Sequence, residues 1–247
     1  MALVERIQAA VARTETLPFK VEIATEAQMD GVIQLRAASY GKHLPELGAK
    51  LRKAEAADFE PGCEVLVATS KLDGSVLGTL RTHANVMAPL PLEASMTLPE
   101  KFDDTLMVET TRLCIKGSSQ GSLVRSALFK ALHQYCMEQG VNWMLAAGRK
   151  PVDKIYDWLL FSDVSEKSMF FPMQHAGMVP HRVMYFSPQE ANALWLTHQH
   201  PLHSFVFETV HPDIDLSKAR PLAVTPENST LFTRAIEPVA AAFNRAQ

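Results

Sequence analysis

A glutamate and an arginine three residues apart interrupt an apolar segment near the middle of the chain. Glu109 and Arg112 lie within residues 105–115, whose other side chains are typical of a buried strand. Burying either charge costs free energy unless the charge is paired or used in chemistry. The two residues therefore form either a structural ion pair or part of a catalytic site, and their surroundings must distinguish the two.

Small residues follow this strand and lead into a helix. The segment from Gly117 to Ser122 is rich in glycine and serine, and an amphipathic helix is predicted over 122–139. A loop of this kind at a helix N-terminus can present free backbone N–H groups to a phosphate. Gly117, Ser119, Gly121 and Ser122 are therefore candidates for binding the phosphate or pantetheine part of a donor. Beside the charged residues, such a loop indicates acyl or phosphoryl chemistry.

Composition excludes several classes of function. The chain has 247 residues, of which 47% are hydrophobic and 21% charged, and its net charge of -3 gives no general attraction to nucleic acid or membranes. We expect no membrane span and no secretory leader, because no apolar run has the required length or position. Cys63, Cys114 and Cys136 are odd in number and widely spaced. That pattern is typical of reduced thiols, so a cytoplasmic protein is predicted.

No metal and no permanently bound cofactor are predicted. Four histidines occur close together in the C-terminal part of the chain: His198, His200, His203 and His211. Neither a cysteine nor a nearby carboxylate completes a set of metal ligands there. We therefore interpret them as surface or core histidines.

Periodicity predicts the elements of the first half of the chain. In order, these are a helix over 3–12, a strand over 19–23, a helix starting at the capping box 25–28, a loop over 41–62 with one helical turn, a hairpin of strands 64–69 and 75–82, and a loop over 87–104. The helix after the capping box carries Arg36 and Tyr40 on its apolar stripe. Either these two residues line a cavity, or Arg36 caps the helix end or extends to water. Arg81 is expected to end the second hairpin strand.

The second half is predicted to alternate strands and helices. The predicted elements are strand 105–115, helix 122–139, strand 141–147 ended by Gly148, helix 151–160 with Trp158 inward, two strands within 169–186, helix 189–197, strand 202–210 and helix 227–244. Strands 105–115 and 141–147 flank one helix, so we expect them to be adjacent and parallel.

This order resembles the GCN5-related N-acetyltransferase fold, an α/β fold with a mixed sheet flanked by helices. Within it, the chain is most similar to the acyl-homoserine-lactone synthases and the N-acyl amino acid synthases. Those families have Glu-x-Ser/Thr-Arg on the fourth strand, an arginine after Gly-x-x on the strand before it, an arginine four residues before an aromatic on the first helix, and two acidic residues before the hairpin. The matching positions here are Glu109–Arg112, Gly78–Arg81, Arg36 with Tyr40, Glu55 with Asp58, and the family-like segment Leu90–Glu93.

The resemblance covers about residues 20–190. It implies an N-acyltransferase-like domain over 1–190, with a C-terminal extension over 191–247 packed on the same domain. The activity it implies is transfer of a fatty acyl group from an acyl-carrier-protein or CoA thioester to the amine of an amino acid or similar small acceptor. The acyl thioester would be a co-substrate. Two alternatives remain: a CoA-dependent acetyltransferase of a small amine, and a non-catalytic protein that binds acyl ligands.

The expected reaction assigns roles to the charged residues. Glu109 is the candidate general base that deprotonates the amine. Arg112 and Arg81 are candidates for gripping an acceptor carboxylate, and Arg112 for holding Glu109 in place. Glu109 and Arg112 can share a site only if a bulge lies between them, because they point to opposite faces of a regular strand. The other candidate substrate-binding residues are Arg36, Tyr40 and Thr111. Three arginines against one acid would leave the site positive.

Two further features concern the donor. Tyr156 is a candidate for protonating the departing thiolate, with a core tyrosine as the alternative. A basic group near the helix start and the strand end is a candidate docking patch for acyl carrier protein, although a solvated helix face explains the same charges. Its members are Arg125, Lys130, Arg149, Lys150 and Lys154.

The phosphate-binding loop gives a testable prediction. Gly121→Asp adds bulk and negative charge at the helix N-terminus, so the KM for the acyl donor should rise. Steady-state kinetics with the donor varied would measure this effect. An unchanged donor KM would count against the loop as the donor site.

Overall fold

The structure is a computed structural model that describes residues 13–165 and 168–222. Its helices are α1 (Glu26–Gly41), α2 (Pro45–Lys50), α3 (Gly121–Glu138), α4 (Asp153–Trp158) and α5 (Ala191–Thr197). Its strands are β1 (Arg13–Thr14), β2 (Phe19–Ile23), β3 (Cys63–Ser70), β4 (Val76–Ala84), β5 (Met107–Ile115), β6 (Trp143–Gly148), β7 (Ser162–Asp163), β8 (Phe170–Met173), β9 (Val179–Phe186), β10 (Thr209–Val210) and β11 (Ile214–Asp215). The helices predicted over 3–12 and 227–244 lie outside the described residues.

Nine of the described strands form one mixed sheet. Its order is β11-β2-β3-β4-β5-β6-β9-β7, with β8 paired to β9 on the side. Strands β5 and β6 are parallel and in register from Met107↔Trp143 to Thr110↔Ala146, and α3 joins them. The predicted βαβ unit is confirmed. Pairing between the two strands ends after Thr110, so their C-terminal halves separate and open the sheet.

Helices cover both faces of this sheet. On one face, α3 buries Val124, Ala127 and Leu128 in the main core. On the other face, α1 packs Met29 and Val32 against β3. The predicted capping box starts α1, where the Thr25 N–H donates to Gln28 Oε1 at 2.8 Å.

A bulge distorts β5 beside the opening. The register with β4 shifts by one residue between Thr79 and Arg81, which pair with Cys114 and Thr111. Arg112 takes up the extra residue in a left-handed conformation, with φ of 54°. The bulge that Glu109 and Arg112 would need in order to share a site is therefore present.

Several predicted elements differ from the structure. The 41–62 segment contains α2 and a 3-10 turn, Ala56–Asp58, instead of a loop with one helical turn. Strand β4 continues past Arg81 to Ala84, and β6 includes Gly148, which was predicted to break it. Trp158 was predicted to point inward but is 43% exposed, because Tyr156 and Leu159 occupy the buried side of α4.

The 202–210 segment is a π-helix, Ser204–Glu208, followed by β10, and the strand predicted there is wrong. The reason is a buried lysine on α3. Lys130 Nζ donates to the carbonyls of Phe205 and Thr209 and lies 2.9 Å from His211 Nδ1. These bonds satisfy backbone oxygens that a regular strand would direct to a neighbour.

Residues after α5 pack against the N-terminal part of the same sheet. Strand β11 pairs with β2, and Arg220 donates to Glu64 Oε1 at 2.8 Å. The boundary predicted at residue 190 remains a prediction. None of the described helices combines the length and apolar character needed to cross a bilayer.

Close contact between α3 and β4 gives a stability prediction. A Cβ at Gly78 would lie 2.6 Å from Val124 Cγ1 and 3.0 Å from Leu128 Cδ1. Gly78→Ala should therefore lower the free energy of unfolding by about 1–3 kcal/mol through overpacking. Gly117→Ala is the matched control, because no atom lies within 4 Å of its Cβ position. Equal denaturation midpoints for the two variants would contradict the packing argument.

Candidate active site

A cleft opens where β5 and β6 separate. Its inner chamber, about 140 Å³, lies between the β5 segment 110–114, the end of β6 and α4. Its outer chamber, about 580 Å³, lies between α2 and the turn 174–177. The two chambers share five lining residues: His43, Leu44, Arg112, His175 and Ala176. They therefore form one continuous cleft.

Three buried arginines lie side by side behind and beside this cleft. Asp58 Oδ1 accepts from Arg36 Nη1 at 2.6 Å and from Arg81 Nη1 at 3.1 Å. Glu55 accepts from Arg81 Nη1 at 3.1 Å and, through both carboxylate oxygens, from Arg112 at 2.8 and 2.6 Å. The arginines and the two acids thus form one continuous ion-pair network.

This network corrects three expectations. Arg36 is 1% exposed and neither lines the cleft nor reaches water, because its partner Asp58 is buried with it. Arg81 likewise lines neither chamber. The bidentate partner of Arg112 is Glu55 and not Glu109, so Glu109 and Arg112 are not an ion pair.

The two carboxylates also reduce the positive charge expected at the site. Burial alone would raise the pKa of Glu55, but hydrogen bonds from Arg112 and the charges of the arginines outweigh it and lower the pKa to about 2. Glu55 is therefore ionised at neutral pH. Without Glu109, three guanidinium groups are already paired with two carboxylates. The net positive charge of the site is therefore smaller than the charge expected for three arginines and one acid.

Glu109 is fully buried on β5, next to the 3-10 turn Pro91–Ala94. Its Oε2 accepts from the Leu92 N–H at 2.8 Å, and its Oε1 lies 3.7 Å from His175 Nε2. Burial raises the pKa of Glu109 to about 8, against the opposing effects of the Leu92 N–H and the arginines. A carboxyl group with this pKa can accept and release protons near neutral pH.

A second buried network supports β4 and β5. His83 Nε2 lies 2.9 Å from Arg81 Nε and 3.0 Å from Thr111 Oγ1, and His83 Nδ1 lies 3.2 Å from Cys63 Sγ. Burial lowers the pKa of His83 to about 3, so its ring is neutral and accepts from Arg81. Of these side chains, Thr111 reaches the inner chamber.

Tyrosines line opposite parts of the inner chamber. Tyr40 lies below Arg112, whose guanidinium carbon is 5.6 Å from the ring centre. Tyr156 also lines a small apolar cavity of about 30 Å³ that continues from the chamber toward α3. Burial raises the pKa of both phenols, so each is a neutral donor at physiological pH.

Of the predicted donor loop and basic residues, Arg149 lines the cleft, and Arg125 lines the small cavity beyond Tyr156. The loop 116–120 is exposed at the end of β5, and its residues contribute to neither chamber. Arg149 lines the inner chamber, and Lys150 and Lys154 follow it on the surface. Lys130 was predicted to belong to this surface patch but is 1% exposed in the contact with the π-helix.

The C-terminal histidines have other partners. His200 lies 2.9 Å from the Trp158 carbonyl and stacks on Trp195, and His203 Nε2 lies 2.8 Å from Asn192 Oδ1. Across residues 13–165 and 168–222, no three His, Cys, Asp or Glu side chains are grouped as metal ligands would be.

The mixed sheet flanked by helices is a fold that occurs in known synthases. Two solved structures share the fold: FeeM, an N-acyl amino acid synthase from uncultured soil microbes (TM-score 0.56, 13% identity, 76% of this chain and 96% of that one), and BjaI, a CoA-dependent acyl-homoserine lactone synthase (TM-score 0.57, 14% identity, 86% and 99%). Among curated proteins, no sequence matches significantly.

The family follows from the sequence itself. The model of the family described as N-acyl amino acid synthase FeeM matches residues 32–183, more than half of the chain. The protein belongs to the FeeM family of N-acyl amino acid synthases and is an amide-forming N-acyltransferase. The matched region contains β3 to β8 and both chambers of the cleft.

Sequence patterns did not identify two side chains of the site. His83 alternates with apolar residues on β4, which gives only a weak signal. His175 lies in a short turn before Gly177, where a polar residue is expected without any function. Both acquire their roles from contacts with residues distant in the sequence.

The burial of Glu109 gives a second stability prediction. Its folded pKa of about 8 exceeds the ordinary 4.5, so the folded state binds more protons in this range and this group destabilises the fold progressively from about pH 4.5 to 8. Glu109→Gln removes the effect and can still accept from Leu92. The melting temperature of the variant should exceed that of the wild type by a margin that grows with pH and corresponds to at most about 5 kcal/mol.

Glu138→Gln, at an exposed position on α3, is the matched control and should show no such growing margin. A wild type more stable than Glu109→Gln above pH 8 would mean that Glu109 is a paired, ionised carboxylate.

Proposed function

We propose that this protein transfers a fatty acyl group from a pantetheine thioester to the amine of an amino acid or similar small acceptor. The observation that carries the proposal is the position of the buried Glu109 carboxyl directly behind a cleft formed by two separating strands. Such a cleft holds an extended thioester, and a carboxyl of raised pKa beside it can take up the amine proton. Membership of the FeeM family supports the same reaction.

The donor would occupy the inner chamber. Past Thr110, β5 no longer pairs with β6, so its backbone groups on that side are available to a pantetheine arm. The small cavity beyond Tyr156 is lined mainly by apolar side chains, including Leu132, Leu159 and Phe161. Its volume of about 30 Å³ admits the start of an acyl chain, which would be shielded from water there.

The acceptor would occupy the outer chamber. Arg112 lies at the junction with its charge directed to Glu55, and Lys50 also lines this chamber. Cationic groups around the chamber suit a carboxylate on the acceptor. Arg81 and Arg36 would act indirectly, because they belong to the ion-pair network that holds Arg112 in position.

The chemistry needs one base and one oxyanion site. Glu109 in its carboxylate form takes a proton from the ammonium group, and the neutral amine attacks the thioester carbonyl. The bulge at Arg112 frees backbone N–H groups that can stabilise the oxyanion. When the C–S bond breaks, the neutral Tyr156 phenol can donate a proton to the thiolate.

The carrier of the acyl thioester is also part of this proposal. BjaI is described as CoA-dependent, and one structure of it contains isopentyl-CoA. For this chain we propose acyl carrier protein or CoA as donor, with the first turn of α3 near the phosphate and Arg149, Lys150 and Lys154 near the entrance. We also propose a cytoplasmic setting, because Cys63, Cys114 and Cys136 are all free.

Purified protein with defined donors and acceptors tests the function. Acetyl, medium-chain and long-chain thioesters of CoA and of acyl carrier protein are each incubated with amino acids, and products are identified by mass spectrometry. We expect N-acyl amino acids from the longer donors, with turnover rising as pH passes about 8 and Glu109 ionises. Glu109→Gln should lower kcat by about 10²–10⁴-fold, and Glu138→Gln should not change it.

The alternatives give different results. Product from acetyl-CoA alone would identify a small-amine acetyltransferase. Saturable acyl-thioester binding without any product would identify an acyl-ligand binder. Wild-type turnover in a folded Glu109→Gln variant would exclude Glu109 as the base.

A further inference from the structure

Glu109 lies behind the cleft and not in its wall. Its side chain is fully buried and contributes to neither the inner nor the outer chamber. One carboxyl oxygen accepts from the Leu92 N–H, and the other, Oε1, has no hydrogen-bond partner among the described residues. A proton from a substrate in the cleft therefore needs another group to reach this oxygen.

His175 lies between Glu109 and the cleft. Its side chain lines both chambers, and its Nε2 is 3.7 Å from Glu109 Oε1. A movement of about 1 Å would bring the two atoms to hydrogen-bond distance. The second ring nitrogen, Nδ1, is buried and makes no hydrogen bond within the described part of the chain. One ring nitrogen thus lies near the carboxyl group, and the other is enclosed by the protein without a hydrogen-bond partner among the described residues.

Connected turns hold the imidazole and the carboxyl group in place. Next to His175, the Gln174 N–H donates to Ser95 Oγ at 3.0 Å, and Gln174 Nε2 donates to the Ala94 carbonyl at 2.7 Å. Ala94 ends the same 3-10 turn whose Leu92 N–H binds the carboxyl group. The two turns therefore fix the ring relative to the carboxyl group, as proton transfer between them requires.

We propose that His175 carries the proton from the acceptor amine to Glu109, a role that rests on the acyl transfer proposed above. When the ring moves so that Nδ1 reaches the cleft, the ammonium nitrogen, directly or through one water, gives a proton to Nδ1, and the proton on Nε2 passes to Glu109 Oε1. One ammonium N–H bond and one imidazole N–H bond break, and one imidazole N–H bond and one carboxyl O–H bond form. The amine becomes a neutral nucleophile, the ring remains neutral in its other tautomer, and the carboxylate becomes a carboxylic acid.

Surrounding charges determine where the proton rests. Burial raises the pKa of Glu109 to about 8 and lowers the pKa of His175 to about 4, so the proton stays on the carboxyl group and the ring is neutral between transfers. The groups that face the pair from the neighbouring elements are Glu93, Arg81, Arg112, His83, His181 and the Pro91 carbonyl.

The test uses the full chain with its best acyl donor and amino acid acceptor. His175→Ala should lower kcat about 10²-fold with little change in acceptor KM, and added imidazole should restore much of it. The restored rate should follow the neutral fraction of imidazole as the pH changes. His175→Gln fills the site but cannot relay a proton, so it should show the same loss. His198→Ala, at the exposed end of α5, should keep wild-type kcat and show no response to imidazole.

Each other outcome is decisive. Wild-type kcat in either His175 variant, with Glu109→Gln still inactive, would overturn the relay and leave the acyl transfer intact. A loss that imidazole does not restore, in a variant that melts like the wild type, would also overturn the relay and would indicate that the ring only shapes the cleft. Wild-type protein that transfers no acyl group to any acceptor would refute the proposed function itself.

Discussion

Three guanidinium groups can be buried together in this protein because two carboxylates lie between them. Asp58 joins Arg36 to Arg81, and Glu55 joins Arg81 to Arg112. Removing one member would leave an uncompensated charge in the interior, which costs far more than the pair contributes. The network connects α1, the turn before β3, β4 and β5. The relative positions of these four elements, and so the shape of the cleft, depend on it.

The bulge in β5 connects this network to the opening of the sheet. Arg112 adopts a left-handed conformation, and its side chain reaches both Glu55 and the carbonyl of His175, the residue whose ring lies beside Glu109. The regular pairing of β5 with β6 stops just before it, after Thr110. Backbone strain of this kind persists only where surrounding contacts enforce it, and here the two bonds from Arg112 to Glu55 do so.

Most of the sheet and its two covering helices could be predicted because their signals are local. The apolar stripe of α3, the capping box of α1 and the turn of the β3–β4 hairpin each depend on residues within a few positions of one another. Predictions were wrong where a distant contact decided the structure. Lys130 has the sequence surroundings of a surface lysine, yet backbone carbonyls of the 205–209 segment bury it and give that segment a helical turn.

The candidate site could also be predicted only in part. Glu109 and Arg112 could be identified because a charge inside an apolar strand is unusual whatever lies around it. Their partners could not be assigned, because Glu55 comes from a turn before β3 and His175 from a turn before β9. The expected pairing of Glu109 with Arg112 was wrong for this reason. The sequence shows that the two residues are close along the chain, but it does not show that Glu55 binds Arg112 instead.

The binding of the arginines by Glu55 and Asp58 determines the protonation of Glu109. An arginine bonded directly to Glu109 would lower its pKa and make it a permanently ionised, weak base. Glu55 and Asp58 instead take the guanidinium groups, as the pKa of about 2 for Glu55 shows, and their negative charges offset the arginines at the distance of Glu109. Burial then becomes the largest influence on Glu109 and raises its pKa to about 8. The ion-pair network thus positions the cleft and also leaves Glu109 free to exchange a proton near neutral pH.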